Sequence, residues 1–582
     1  MKNIKNPILN VDFYKTSHKK MYPSDMTRMY SNLTPRSAKH FTFKSSMFDN
    51  KVVVFGLQTL VIKLNDEWEE NFFSQPIEPL VQQYKSVMLQ CLGINNPDVS
   101  YWYELHAVGY LPITIKGLKE GTRSPMGVPI FTITNTHDDF AWLVNYLETY
   151  LSTNIWKAVT MATNTYEYKR VLNKFNIMTA DTTNFIPWQV HDFSARGLGN
   201  SEEWSTNSIA HLTAFSGTDT VQAILGAKHY YDADLSCGGS IPATEHSVMT
   251  LGISQSTASN KLEAEKEYLH KLLTELYPTG PLAVVSDSYD FWGVIEHNLP
   301  ALKDVITSRD GKLVIRPDSG TPIDVICGQM ILQDSAITLE SSPEGYDTWT
   351  QWVAEDIHDT FVNELDAENP MYDIVEHYRF GEIVYEVTYE PDLNRHDKTY
   401  YYVDNYGSTL SKCKFKQLPL EVKNTQQKGL LQSIWDIFGG TINNKGYKVL
   451  DPHIGIIYGD AITPDKYEAI LTRMESMGFS SDNLVVGAGA YPAQMITRDT
   501  FGFAIKATAA IIKGKVQQVF KQPKTDPGKN SAKGYMRVDI IDGEYVVTDG
   551  LDSDEGGELK VIFRGGNYYN KITLEDVRGT LN

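Results

Sequence analysis

KLVIRPDSG, Lys312 to Gly320, runs an apolar, β-branched segment into an arginine, an aspartate and a small-residue turn. Buried parallel strands read as continuous apolar runs of this kind, and α/β enzymes keep their polar groups at the carboxyl ends of such strands. Three other segments repeat the arrangement: LAVVSD ends at Asp287, IGIIYGD at Gly459 and Asp460, and NLVVGAGA carries Gly487 to Ala490. One such run alone reads as a buried strand and an ordinary turn. Four together read as strands that bring polar or glycine-rich ends to one place. In a (β/α) barrel those ends form the catalytic face, and glycine-rich loops there let backbone N–H groups reach a phosphate. The expectation is an α/β, barrel-like enzyme that handles phosphate.

The chain has 582 residues, more than the roughly 250–300 a single core usually supports, so more than one domain is expected. No apolar run approaches the roughly 18 residues of a membrane span, and MKNIKNPILNVDFYK carries charges where a signal peptide needs an apolar stretch. A cytoplasmic protein with no membrane partner is expected. Cys91, Cys237, Cys327 and Cys413 are far apart and form no metal-ligand spacing, so reduced structural thiols are expected.

The formal charge of −19 argues against nucleic acid as a partner. Its distribution is uneven: Ile331 to Tyr400 holds 17 acidic and 3 basic residues, which is −14 of the −19. The remainder is only mildly acidic and has room for a basic pocket that takes an anionic ligand.

The clearest βαβ unit runs from His453 to Gly489. Ile454 to Tyr458 reads as a strand, Thr463-Pro464-Asp465 as a helix start, Gly478 as its stop, and Asn483 to Val486 as the next, parallel strand. Upstream, Ala158 to Phe175 reads as a helix, Trp188 to Phe193 as a strand and Ser201 to Phe215 as a second helix. Strand-like segments at Lys51–Phe55, Leu111–Gly117 and Val128–Thr134 precede this region, and Tyr535–Thr548 and Leu559–Phe563 follow it. The expected division is a mainly β-rich domain over 1–150, the first part of the α/β barrel over 151–329, an acidic insertion over 330–445, the second part of the barrel over 446–510, and a segment over 511–582 returning to the β-rich domain. The tyrosine-rich strands GEIVYEVTYE and KTYYYVDNY make the insertion a folded one without a chemical motif.

HDFSARG, His191 to Gly197, sets a histidine, an aromatic and an arginine just past a short strand. Phe193 by itself reads as core. With Arg196 close by it reads as one face of a slot for a flat ring, the arginine serving phosphate or pyrophosphate. GTDT puts Asp219 in a turn, where a simple cap is the plainer reading. SIPATEHS brings Glu245 and His246 together; a histidine takes a phosphoryl group as nucleophile when a carboxylate orients its other nitrogen, and Asp287 or Glu245 supplies that carboxylate.

The set DFYK (12–15), HDFSARG, GTDT, PATEHS, VVSDSYD, IRPDSG, YGD and TRD, in this order, resembles the nicotinamide phosphoribosyltransferases of the type II phosphoribosyltransferase family. The likeness spans nearly the whole chain except about 330–445. It implies a barrel core with a β-rich second domain, and transfer of phosphoribose from phosphoribosyl pyrophosphate to nicotinamide, with Mg²⁺ accompanying the pyrophosphate and active sites shared across a homodimer. It implies that Phe193 and a second subunit's Tyr14 sandwich nicotinamide, and that Asp219 accepts from the carboxamide. It assigns Arg196 and Arg316 to the pyrophosphate and ring side, and Asp318, Gly459 and Asp460 to the ribose hydroxyls. Gly489 and Ala490 become the phosphate loop, surrounded by Arg36, Arg498, Lys506, Lys521 and Lys529. His246 becomes the histidine phosphorylated by ATP, with Asp287 as its carboxylate partner. No direct metal ligand is assigned. Two positions depart from the pattern: Ala490 stands where the family usually has glycine, and Gly455 where it has a basic residue.

Three other functions compete with this one. A nicotinate phosphoribosyltransferase shares the fold, but Asp219 would repel a carboxylate that faces it. A glycoside hydrolase pairing carboxylates among Asp287, Asp318 and Asp460 leaves Arg196, Arg316 and the GAGA loop unexplained. A non-catalytic ligand-binding protein has no use for His246, Arg316 and Asp318.

Overall fold

The computed structural model describes residues 5–328, 337–339, 353, 374–380, 383–389, 413–418, 424–459, 462–521 and 532–581. Asp460, Lys529 and the KTYYYVDNY segment lie outside the described residues. The chain forms two compact units: one of 1–169, 192–239 and 489–582, the other of 170–191 and 240–488. These bounds place 192–239, grouped with the α/β alternation in the sequence, in the unit that holds both chain ends.

The first unit is built on a seven-stranded antiparallel sheet in the order Lys515–Gln518, Ala504–Ile512, Met26–Thr34, Phe131–Asn135, Ile113–Gly117, Lys560–Arg564, Asn567–Tyr568. Three strands from the N-terminal part of the chain form its centre, and two C-terminal strands flank them on each side. Leu33, Ile115, Ile133 and Phe563 join one core with the helix Leu57–Trp68. That helix buries Leu57, Leu60, Val61, Leu64 and Trp68, a stripe spaced by three, four and seven residues. Its first turn has no capping side chain of its own. Buried Glu120 fills the role, accepting the N–H groups of Gly56 at 2.8 Å and Gln58 at 2.6 Å.

The expected helix Ser201–Phe215 is two single turns, Ser201–Trp204 and Ile209–Leu212. Asn200, rather than Ser201, caps the first by accepting from the N–H groups of Glu202 and Glu203. The hydroxyls of Ser205 and Thr206 then donate to the carbonyl of Glu202, taking the acceptor a continuing helix would use.

The second unit carries the parallel sheet. Ile454–Tyr458 lies between Leu484–Ala488 and Leu313–Arg316, parallel to both, and Leu282–Val285 is parallel to the latter on the outside. The sheet's other edge is Val190–Asp192, and a parallel bridge from Ala243 to Ala283 adds the segment before His246. The βαβ unit falls where the sequence puts it: the helix spans Pro464–Ser476 after an extended Thr463, and it buries Tyr467, Ile470, Leu471 and Met474. Gly478, at φ +74°, turns the chain into Leu484–Ala488.

The acidic segment contains a four-stranded sheet in the order Cys413–Leu418, Ile383–Tyr389, Ile374–Phe380, Ile337–Leu339. Its departure and return meet at a pair of glycines. A Cβ on Gly328 would lie 2.5 Å from the Lys428 carbonyl, and one on Gly429 would lie 2.3 Å from the Gly328 nitrogen. Both have positive φ, +70° and +84°, which glycine adopts without strain. Leu430–Phe438, assigned to the insertion from sequence, comes after this junction, and buries Leu430, Leu431, Ile434 and Phe438.

Candidate active site

In the second unit the carboxyl ends of two adjacent strands and the segment bridged at Ala243 meet at Asp287. Leu282–Val285 delivers it one residue past Ser286, whose N–H donates to the Arg316 carbonyl at 3.2 Å. The side chain is 6% exposed and saturated with donors. Oδ1 accepts from His246 Nε2 at 3.0 Å, while Oδ2 accepts from the backbone N–H of Asp318 at 3.1 Å and the hydroxyl of Ser319 at 2.8 Å. A buried carboxylate is tolerated only when its lone pairs are filled in this way. One aspartate therefore holds both the histidine and the loop that follows Arg316.

His246 is half exposed and opens the helix His246–Ser254, where unpaired N–H groups and the helix dipole favour an anion. Of the two carboxylates offered by the sequence, Asp287 is the one that orients it; Glu245 accepts from the Ser247 hydroxyl instead. With Nε2–H directed at Asp287, Nδ1 carries the free lone pair.

Arg316 ends its strand with Nη2 donating to the carbonyl of Thr244 at 3.2 Å, and its Nε is buried with no hydrogen-bond partner among the described residues. Thr244 is fixed in turn: its N–H donates to Ala283 O at 3.0 Å and its hydroxyl accepts from Val285 N–H at 3.0 Å. Asp318 is exposed, and a Cβ on Gly459 would lie 3.4 Å from its Oδ1 and 3.8 Å from Arg316 Cδ. Glycine at 459 keeps that space open beside the carboxylate. The Tyr458 hydroxyl donates to Gly320 O at 2.8 Å, tying two strand ends together. At the other departure from the family pattern, the Lys312 side chain crosses Gly455, 3.2 Å from where a Cβ would stand. A lysine of the neighbouring strand thus occupies the space that a side chain at 455 would need.

One further acid lies behind this cluster. Glu265, 1% exposed on the helix Lys261–Lys271, has an Oε2 with no hydrogen-bond partner among the described residues. Burial, reinforced by the charges of Asp290 and Asp287, pushes its carboxyl up to about 7.

The first unit carries the rest of the expected residues. Phe193 and Asp219 sit on turns that Asp192 joins: the Asp219 N–H donates to Asp192 O at 3.0 Å, and the Asp192 N–H donates to Gly217 O at 3.0 Å. Arg196 is exposed two residues before Leu198. Gly489 is buried and Ala490 begins the turn Tyr491–Gln494, with Gly197 directly against it. Arg36 donates through Nε to Gly502 O at 2.7 Å, Lys506 projects from the sheet, and Arg498 is exposed beside Asp499. Tyr14 is 59% exposed on the turn Phe13–Ser17.

Ser319, Thr244 and Asp192 hydrogen-bond to the candidate residues although the sequence does not single them out. Each lies inside one of the motifs, but short polar residues in turns give no signal of the long-range carboxylate or carbonyl they meet. Among the described residues no group of three or more His, Cys, Asp or Glu side chains gathers as a metal site, and no helix is long and apolar enough to cross a membrane.

A family model described as the nicotinate phosphoribosyltransferase (NAPRTase) family matches residues 188–355 and 416–559. The chain is similar to the nicotinamide phosphoribosyltransferase of Acinetobacter baylyi, 36% identical over 586 residues covering 99% of this chain and 97% of that protein. It is also similar to the nicotinamide phosphoribosyltransferase of Mycoplasma pneumoniae, at 30% identity over 90% of this chain and 94% of that one. A crystal structure of human nicotinic acid phosphoribosyltransferase matches with a TM-score of 0.49 and 12% identity over 98% of this chain and 92% of that one.

Proposed function

The chain belongs to the nicotinate phosphoribosyltransferase family, and from that premise we propose that it transfers phosphoribose from phosphoribosyl pyrophosphate to nicotinamide. The products are nicotinamide mononucleotide, a precursor in NAD biosynthesis, and pyrophosphate. End-to-end similarity to relatives named for the amide carries the choice of base.

Loss of pyrophosphate leaves an oxocarbenium-like ribosyl centre, so catalysis needs mainly fixed positive charge at the leaving group and a fixed sugar. Arg316, tied to the Thr244 carbonyl, and Arg196 hold the pyrophosphate and ring side. Asp318 and Asp460 take the ribose hydroxyls, and Gly459 leaves the sugar room beside Asp318. Gly489 and Ala490, with Arg36, Arg498, Lys506, Lys521 and Lys529 around them, receive the 5′-phosphate. Phe193 stacks on the nicotinamide ring and Asp219 accepts from its carboxamide, with Tyr14 of a second copy closing the slot in a homodimer. Nicotinamide attacks through its ring nitrogen's own lone pair, so no general base is required.

Mg²⁺ prefers oxygen ligands and is commonly held by one or two carboxylates plus substrate phosphates, so the lack of a three-residue cage among the described residues is compatible with it. Asp318, exposed at the strand end, would offer the ion a carboxylate oxygen. When bound, the ion screens the charge of the leaving pyrophosphate.

His246 adds ATP coupling. Its Nδ1 forms a bond to the γ-phosphorus as the bond to the ADP oxygen breaks, while Asp287 retains the Nε2 proton and stabilises the charged ring. The reaction belongs to the cytoplasm, where ATP and phosphoribosyl pyrophosphate are available.

The test is to incubate the purified protein with phosphoribosyl pyrophosphate, Mg²⁺ and either nicotinamide or nicotinate, with and without ATP, and to quantify both mononucleotides. Nicotinamide mononucleotide is the expected product, in greater yield with ATP. Nicotinate mononucleotide would keep the chemistry and overturn the specificity; no product from either base would leave a ligand-binding protein.

A further inference from the structure

Asp192 is 3% exposed, and no cation is paired with it among the described residues. Its carboxylate instead divides between two turns. Oδ1 accepts the backbone N–H of Ser194 at 2.9 Å, closing the turn whose middle residue is Phe193. Oδ2 accepts the hydroxyl of Thr218 at 3.1 Å, and that hydroxyl oxygen accepts the N–H of Thr220 at 3.0 Å, so it spans the turn whose middle residue is Asp219. The backbone repeats the link, with Asp192 O accepting from Asp219 N–H and a parallel bridge from Asp192 to Thr218. A backbone bridge fixes the register of two segments. The side chain fixes their separation and the pitch of each turn.

We propose that Asp192 is a positioning residue for base recognition, holding the Phe193 ring and the Asp219 carboxylate at the spacing that a flat ring bearing a neutral amide requires. The proposal rests on the reading of Phe193 and Asp219 as the base slot. Burial suits this carboxylate to such a role. Both of its oxygens are already engaged and no water competes, so it cannot re-aim without losing a charge-assisted hydrogen bond. Of the proposed phosphoribosyl pyrophosphate contacts only Arg196 shares this segment, past Ser194, so the Thr218 link, which leaves that turn closed, is the one that separates base recognition from holding phosphoribosyl pyrophosphate. A merely structural aspartate would affect both substrates alike.

The experiment measures kcat and the KM of each substrate separately for wild type, Asp192→Asn, Asp192→Ala, Thr218→Val and Thr218→Ser, with circular dichroism as a check of folding. Thr218→Val removes the two hydrogen bonds of the Thr218 hydroxyl, to Asp192 Oδ2 and from the Thr220 N–H, and leaves the Phe193 turn closed, so it reports even where Asp192→Ala fails to fold. The expected result is a KM for nicotinamide raised about tenfold or more in Asp192→Ala and Thr218→Val, with the KM for phosphoribosyl pyrophosphate little changed. Asp192→Asn and Thr218→Ser, which keep an acceptor and a hydroxyl in place, are expected to recover most of the loss. Equal shifts in both KM values, or no shift in folded Thr218→Val and Asp192→Asn alike, would overturn the proposal. If wild type turns over nicotinate alone, the reading of the base is wrong and the same comparison, run with nicotinate, still decides the role of Asp192. If it turns over neither base, both readings fall together.

Discussion

Gly197 and Ala490 are packed so closely that a Cβ built on residue 197 would lie 2.0 Å from the Cβ of Ala490. The methyl that Ala490 carries is thus met by the missing methyl at the end of HDFSARG. Gly197→Ala is expected to destabilise the protein by about 1–3 kcal/mol, the usual cost of overpacking. Adding Ala490→Gly should restore most of it, giving a coupling energy of about 1 kcal/mol or more. Urea denaturation of the two single variants and the double variant measures the cycle; additive effects would mean the neighbours relax independently.

Asp287 serves two groups, and the two can be told apart. His246→Ala removes the proposed phosphoryl acceptor and is expected to lower ATP-coupled synthesis far more than ATP-independent synthesis. Asp287→Ala also releases the Asp318 N–H and the Ser319 hydroxyl. Hydrogen bonds to a charged group are worth about 1.5–3 kcal/mol, so ATP-independent turnover should fall by about ten- to a hundredfold. Initial rates with and without ATP settle it: if both variants lose the same share of each activity, Asp287 has no role beyond His246.

The elements legible in the sequence are those whose signals are local. Ile454–Tyr458 and Pro464–Ser476 show their apolar spacing and Gly478 its stop within some 25 residues. The seven-stranded sheet is legible as composition, strands at both ends, but its order depends on pairings such as Met26–Thr34 with Ala504–Ile512, for which the sequence holds no local sign. The break at Ser205–Ser208 escapes a sequence reading because hydroxyl competition for the Glu202 carbonyl looks, residue by residue, like a tolerable helix interior. In the site, the strand-end residues Asp287, Arg316, Asp318 and Gly459 are all visible by position. The choice of Asp287 over Glu245 as partner of His246 is not, since the nearer residue in the chain points elsewhere.

Glu265 makes stability depend on pH in a direction that can be worked out. Its folded carboxyl titrates at about 7, above the 4.5 of an ordinary glutamate, so the folded state holds the proton more tightly. The contribution is fully present below about 4.5 and is lost as pH rises through 7, by no more than about 3 kcal/mol. Glu265→Gln, which cannot ionise, should gain stability relative to wild type between about pH 5 and pH 8, read as a widening gap in urea midpoints. A gap that stays constant over that range would show that Glu265 ionises as freely folded as unfolded.

Tyr14 stands exposed beside Phe13, which is 49% exposed, on a turn that a second copy has to cover if sites are shared. Tyr14→Ala and Arg316→Ala chains should each be nearly inactive alone. Mixed and re-equilibrated, they should regain up to about a quarter of wild-type activity, because half of the dimers are mixed and each of those holds one intact site. No recovery in verified mixed dimers would place Tyr14 and Arg316 in the same subunit's site.

In the proposed function Asp219 is the residue that distinguishes an amide from an acid. It is an exposed residue whose N–H is tied to Asp192 O, so its backbone is held in place. Nicotinamide presents an NH₂ donor to a carboxylate, whereas nicotinate presents a second negative charge that must be desolvated against the first. Asp219→Ser keeps a small polar side chain but removes the charge, so it should weaken nicotinamide and relieve the penalty on nicotinate at the same time. The ratio of kcat/KM for the two bases should fall by about tenfold or more, since a mismatched or repelled polar group commonly costs about 1–3 kcal/mol. The comparison needs both bases measured on one preparation, because a loss with nicotinamide alone would also follow from a displaced turn. An unchanged ratio in active Asp219→Ser enzyme would mean that the amide is recognised elsewhere.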